Sequence, residues 1–135
     1  MQRRDFLTLA ASLTFAPFAA RAGEATLYTP GAAEAAMDEG KVVLLDFWAS
    51  WCSTCAAQER VLAELKVENP DYEKKIAFFV VDWDEHGNGE FSKALNIPRR
   101  STLVALKGRQ ELGRIVAGTG KGEIKALLDM ALAAA

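Results

Sequence analysis

The only two cysteines of this 135-residue chain stand three positions apart, in Trp51-Cys52-Ser53-Thr54-Cys55. On a helix that spacing puts both sulfurs on one face about one turn apart, close enough to be free thiols or to close a small disulfide ring. A bridge over two intervening residues restrains little chain and has small value as a structural staple. The pair is therefore read as redox chemistry. An apolar run precedes it and a helical pattern follows, so Cys52 opens a helix. The unpaired N–H groups and partial positive charge there favour thiolate over thiol, which makes Cys52 the expected nucleophile.

The elements that must hold this pair are legible around it. Val42-Val43-Leu44-Leu45-Asp46-Phe47-Trp48 is an apolar run with one interruption, the pattern of a central strand covered on both faces. Asp46 is that interruption, and a carboxylate in such a strand is costly without partners. From Cys52 to about Val67, Ala57, Val61 and Leu65 with Leu62 follow helical spacing, and Asn69-Pro70-Asp71 closes the segment. Upstream, Ala25–Thr29 is expected as a short strand and Ala32–Asp38 as a helix. Downstream, Ile76–Val81 reads as a second buried strand, Asp82–Gly89 as a turn-rich stretch and Phe91–Leu95 as a short helix. Thr102–Leu106 and Leu112–Val116 flank Lys107-Gly108-Arg109-Gln110, an antiparallel hairpin with a four- or five-residue loop. Ile124, Leu127, Leu128, Ala131 and Leu132 give the last helix its apolar face. The expected fold class is α/β, a mixed central sheet with helices on both faces.

Residues 1–22 read as a cleaved export signal rather than fold. Arg3-Arg4 is basic, Leu7–Ala20 is almost wholly apolar yet shorter than the roughly 20 residues a membrane span needs, and Ala20-Arg21-Ala22 has the form of a signal-peptidase site. Arg3-Arg4 before Phe6-Leu7 resembles a twin-arginine signal, although Gln2 departs from it. Export to the bacterial periplasm after cleavage behind Ala22 is the expectation. Residues 23–135 then form one domain with 13 basic against 17 acidic side chains, a balance unsuited to nucleic acid.

Asp46-Phe47-Trp48-Ala49-Ser50-Trp51-Cys52-Ser53-Thr54-Cys55 resembles the active-site segment of the thioredoxin family, and the similarity continues through the hairpin from Thr102-Leu103 to the helix near Lys121-Gly122. The resemblance implies a thioredoxin fold and a thiol-disulfide oxidoreductase with no cofactor beyond its Cys52/Cys55 disulfide. Cys52 would attack a substrate disulfide and Cys55 would resolve the mixed disulfide. Asp46, with a raised pKa, would take the proton from Cys55 directly or through water. Trp51, Ser53, Thr54, Arg100 and Ser101 would form the surface offered to substrate proteins. A monomer that reduces disulfides, supplied with electrons by a membrane donor, is expected; a disulfide oxidase or isomerase on the same fold is the alternative.

Three departures from the family pattern bear on this. Ser53-Thr54 replaces Gly-Pro between the cysteines, Val80 replaces a lysine near the buried aspartate, and Ser101 stands where the family places a cis-proline before Thr-Leu. A non-proline cis bond costs about 3 to 4 kcal/mol, so a trans Arg100–Ser101 bond is expected. A shifted loop with Pro98 in that place would bring Arg99-Arg100 into the start of a buried strand. The rival from another class is a copper or zinc module using Cys52, Cys55 and His86. Asp82-x-Asp84-x-His86-Gly87 fails as a calcium loop, because His86 and Lys93 occupy oxygen-ligand positions.

Overall fold

The computed structural model describes residues 25–135, and the expected export signal lies outside them. The strand run takes the place its composition dictates. β2 (Val42–Trp48) is the middle strand of a five-stranded sheet that also contains β1 (Thr26–Leu27), β3 (Ala77–Asp82), β4 (Thr102–Lys107) and β5 (Gln110–Val116). The strand order is β1-β3-β2-β4-β5, parallel from β1 to β2 and antiparallel from β2 to β5. The sheet is thus mixed, as expected.

Alternation along β2 divides its side chains between two cores. Val42 and Leu44 pack with Leu62, Leu65, Ile124 and Leu128 beneath α2 (Ser53–Glu68) and α6 (Lys121–Ala134). Val43, Leu45 and Phe47 pack on the other face with Ala33 and Met37 of α1 (Ala32–Asp38), together with Phe79 and Ile97. Asp46 falls on the α2 face, so the one acidic residue of the strand is carried beneath the helix that bears the cysteines.

Several expected boundaries shift for local reasons. The hairpin turn is only Gly108-Arg109, because Gly108 adopts φ 57 and lets Lys107 pair directly with Gln110. Pro70 does end α2, but Asp71–Lys75 forms a further turn, α3, which buries Tyr72. Within the turn-rich stretch, Trp83–His86 forms α4, capped by Asp82 whose side chain accepts from the Asp84 N–H at 3.0 Å. α5 spans Glu90–Ala94.

Candidate active site

β2 runs directly into the turn that presents the cysteines. Cys52 is the N-cap of α2, with extended backbone angles, and its Sγ accepts from the Cys55 N–H at 3.1 Å. A sulfur here occupies the role usually taken by a serine or aspartate oxygen. The two cysteines form a disulfide with their Cα atoms 5.2 Å apart. In this oxidised form Cys55 is completely buried and Cys52 is only 5 % exposed. Ala49, Trp48 and Trp83 pack around the sulfurs and close them in. What reaches solvent beside them is Trp51, at 59 % exposure.

Trp51 is held as a plate. Its Nε1–H donates to both oxygens of Asp84 at 3.0 and 3.1 Å, and the Arg100 guanidinium lies 4.4 Å from the ring centre. In the first turn of α2, Ser53 is exposed and Thr54 half-buried. Trp51, Ser53, Thr54 and Arg100 thus surround the disulfide, and Asp84 joins them without having been singled out in the sequence.

Ser101 settles the loop geometry. No cis peptide bond occurs among the described residues, so Arg100–Ser101 is trans, and Ser101 has instead the left-handed angle φ 61. Its N–H donates to Phe47 O at 2.7 Å, and its carbonyl accepts from Ala117 N–H at 2.8 Å and from Gln58 Nε2 at 2.9 Å. The shifted register with Pro98 does not occur: Pro98 is exposed, Arg99 and Arg100 stay ahead of β4, and the fully buried Ser101 faces both sulfurs with its Oγ 3.0 Å from each. Gln58 also donates to Gly118 O at 2.9 Å, tying α2 to the segment after β5.

Asp46 is 7 % exposed, and its Oδ1 has no hydrogen-bond partner. Burial raises its pKa from 3.8 to about 7; the Glu59 carboxylate adds to the rise and Lys66 opposes it. Lys66 is the cation that acts on this carboxyl. Val80 does sit beside Asp46 in the β2–β3 register, yet a cation still reaches the site, from α2 rather than from the strand. Its Nζ lies 4.1 Å above the Phe78 ring and 3.8 Å from Glu73 Oε1, and burial lowers its pKa. Asp46, Glu59 and Lys66 share a cavity of about 640 Å³ with Leu62, Phe78 and Val80, lined by neither cysteine. A partly desolvated carboxyl that opens on such a space has a route for proton exchange.

His86 takes no part in the site. Its ring packs edge-on against Tyr28 with centroids 5.0 Å apart, its Nε2 lies 3.5 Å from Glu85, and among the described residues no three His, Cys, Asp or Glu side chains gather to hold a metal. The copper or zinc reading is left without its ligand set.

Comparison with known proteins agrees with this geometry. The thioredoxin family model matches residues 29–130. The chain is 34 % identical over 95 residues to thioredoxin H-type of Brassica campestris, covering 70 % of this chain and 72 % of that protein. It is 29 % identical over 96 residues to thioredoxin of Mycolicibacterium smegmatis, covering 71 % and 83 %. Among solved structures, Trxlp from Edwardsiella tarda superposes with a TM-score of 0.68 at 26 % identity, over 78 % of this chain and 98 % of that one. The family acts on protein disulfides through its dithiol, without a cofactor. With its Cys52–Cys55 disulfide at the head of α2 and its aspartate buried in the strand before it, this chain belongs to the thioredoxin family of thiol-disulfide oxidoreductases.

Proposed function

We propose that this protein is exported to the bacterial periplasm and there reduces the disulfides of substrate proteins as a monomer, recharged by a membrane electron donor. The carrying observation is the burial of Asp46 in the strand beneath the helix that holds the buried Cys55, which pushes its carboxyl up to about 7. A group of that pKa can accept the Cys55 proton near neutral pH, at the moment Cys55 must attack the mixed disulfide. Cys52, capping the helix and accepting from the Cys55 N–H, is placed to be the thiolate that forms that intermediate. Trp51, Ser53, Thr54 and Arg100 supply the contact surface: a fixed aromatic plate beside a cation, suited to the chain on either side of a substrate cysteine. The basic, apolar and small-residue pattern of residues 1–22 supports export, and an oxidising compartment requires that electrons arrive through the membrane.

Direction of electron flow is tested by the reduction potential of the Cys52/Cys55 couple, equilibrated with glutathione and followed by tryptophan fluorescence. The value is expected nearer the thioredoxin level of about −270 mV than the roughly −120 mV of a strong periplasmic oxidase. A potential above about −150 mV would assign the protein to disulfide formation instead.

Cysteine roles and location are tested together by expressing Cys55→Ser and Cys52→Ser variants of the full chain in a bacterium. Cys55→Ser should accumulate mixed disulfides in the periplasmic fraction and Cys52→Ser should trap few. Equal trapping by the two would remove the assignment of Cys52, and capture confined to the cytoplasm would remove the export reading.

A further inference from the structure

Ser101 Oγ stands 3.0 Å from Cys52 Sγ and 3.0 Å from Cys55 Sγ. A disulfide sulfur carries no hydrogen, so in the oxidised protein the hydroxyl is the donor, its single hydrogen shared between the two sulfurs. The side chain is fully buried, and the residue's backbone is held from β2, from Gln58 of α2 and from Ala117 after β5. The hydroxyl is thus aimed at the reacting sulfurs and away from the surface, in a left-handed conformation that a residue other than glycine adopts at a cost. Strain of that kind persists where the surroundings over-determine it, and here they place one rotatable donor midway between two sulfurs.

We propose that Ser101 is a catalytic residue whose hydroxyl serves the two thiolates in turn, following the negative charge from Cys52 to Cys55. In the reduced protein the Cys55 thiol donates to Ser101 Oγ, and the Ser101 hydroxyl donates to the Cys52 thiolate. Cys52 attacks one sulfur of a substrate protein disulfide; the Cys52–substrate bond forms, the substrate disulfide breaks, and the expelled thiolate is protonated from solvent. Cys52 no longer carries charge. Cys55 passes its proton to Asp46, and the hydroxyl turns about its Cβ–Oγ bond onto the new Cys55 thiolate. Cys55 then attacks Cys52 Sγ, closing the Cys52–Cys55 disulfide and expelling the second substrate thiolate. Two electrons have passed from the dithiol to the substrate. Only the Asp46 step rests on the function proposed above, and the hydroxyl acts equally in either direction of exchange.

A hydrogen bond to a buried anion is stronger than one to a neutral disulfide, so the hydroxyl favours the reduced form. Ser101→Gly removes it while suiting the left-handed backbone, and Ser101→Ala removes it with a Cβ retained. Without substrate, the pH midpoint for alkylation of Cys52 should rise by about one unit in both variants. The equilibrium with glutathione should shift about tenfold toward the disulfide, equivalent to a potential lower by about 30 mV. A merely structural role would lower the melting temperature and leave the alkylation midpoint in place. An unchanged midpoint and potential in Ser101→Gly would overturn the proposal. Whether or not the variants fold, the unmodified reduced protein should show the Cys55 S–H stretch at the lowered frequency of a donating thiol, and a free-thiol frequency would equally overturn it. Neither result depends on whether the protein is a reductase in the cell.

Discussion

Asp46→Asn should change the stability of the oxidised protein by an amount that depends steeply on pH. The carboxyl is raised to about 7 in the fold and titrates near 3.8 without it, so between those values the folded chain holds a proton that the unfolded chain has released. The stability this proton confers is complete below the unfolded value and is lost as pH rises through the folded one. Over the whole window the loss approaches roughly 4 kcal/mol. An asparagine amide brings its own burial cost, but that cost does not titrate and cancels when one pH is compared with another. The stability of Asp46→Asn relative to the parent should therefore climb between about pH 4 and about pH 8, read from urea unfolding of both proteins across that range. A constant difference would mean that Asp46 ionises in the fold as it does in water. The kinetics should separate at the same place: resolution of a mixed disulfide should accelerate through about pH 7 in the parent and lose that inflection in the variant.

Restoring the family's proline, by Ser101→Pro, should be among the most destabilising single changes in the protein. Proline fixes φ near −65°, whereas Ser101 sits at φ 61, and proline has no N–H to give Phe47 O. The carbonyl of Phe47 would lose a 2.7 Å partner in a buried strand, and the Gln58 and Ala117 contacts would be displaced with the loop. A loss of about 3 kcal/mol or more is expected, a fall in melting temperature of roughly 12 °C or more for a domain of this size. Calorimetry of the oxidised variant against the parent measures it. A variant as stable as its parent would show that the left-handed loop is readily exchanged for another conformation.

What the sequence made legible was what short-range pattern encodes. The seven-residue run Val42–Trp48 is apolar nearly throughout because both faces are covered, and it is a strand over those same residues. The helix after Cys52 was equally plain, and Leu62 and Leu65 are buried as its spacing implies, but the inward stripe continues through Gln58 and Cys55, with Ala57 and Val61 to the side. Gln58 was missed for that reason. A glutamine inside an apolar 3-4-3 spacing is the signal that could have found it, since such a position must supply polar partners from elsewhere in the fold. Lys66 is not legible in the sequence because it lies on a different element from Asp46, and only the fold lets a long side chain on α2 reach the same space, with its Nζ over Phe78. Replacement of the family proline by Ser101 was visible, and so was the trans bond. The left-handed angle was not, because it is imposed by hydrogen bonds from three distant segments rather than by the residues beside it.

The hydroxyl that touches both sulfurs lies 49 residues along the chain from Cys52 and 46 from Cys55. Redox behaviour in this protein is therefore not portable with its Cys-Ser-Thr-Cys tetrapeptide. Grafting those four residues onto a relative that carries proline opposite its sulfurs would transfer the loop and leave its hydrogen-bond donor behind. Replacing Ser53-Thr54 here with Gly-Pro would leave that donor in place. Substitutions at 53, 54, 58 and 101 should consequently combine non-additively, and the unit that evolution or an engineer must exchange is a set of contacts spread across α2, β2 and the two ends of the hairpin.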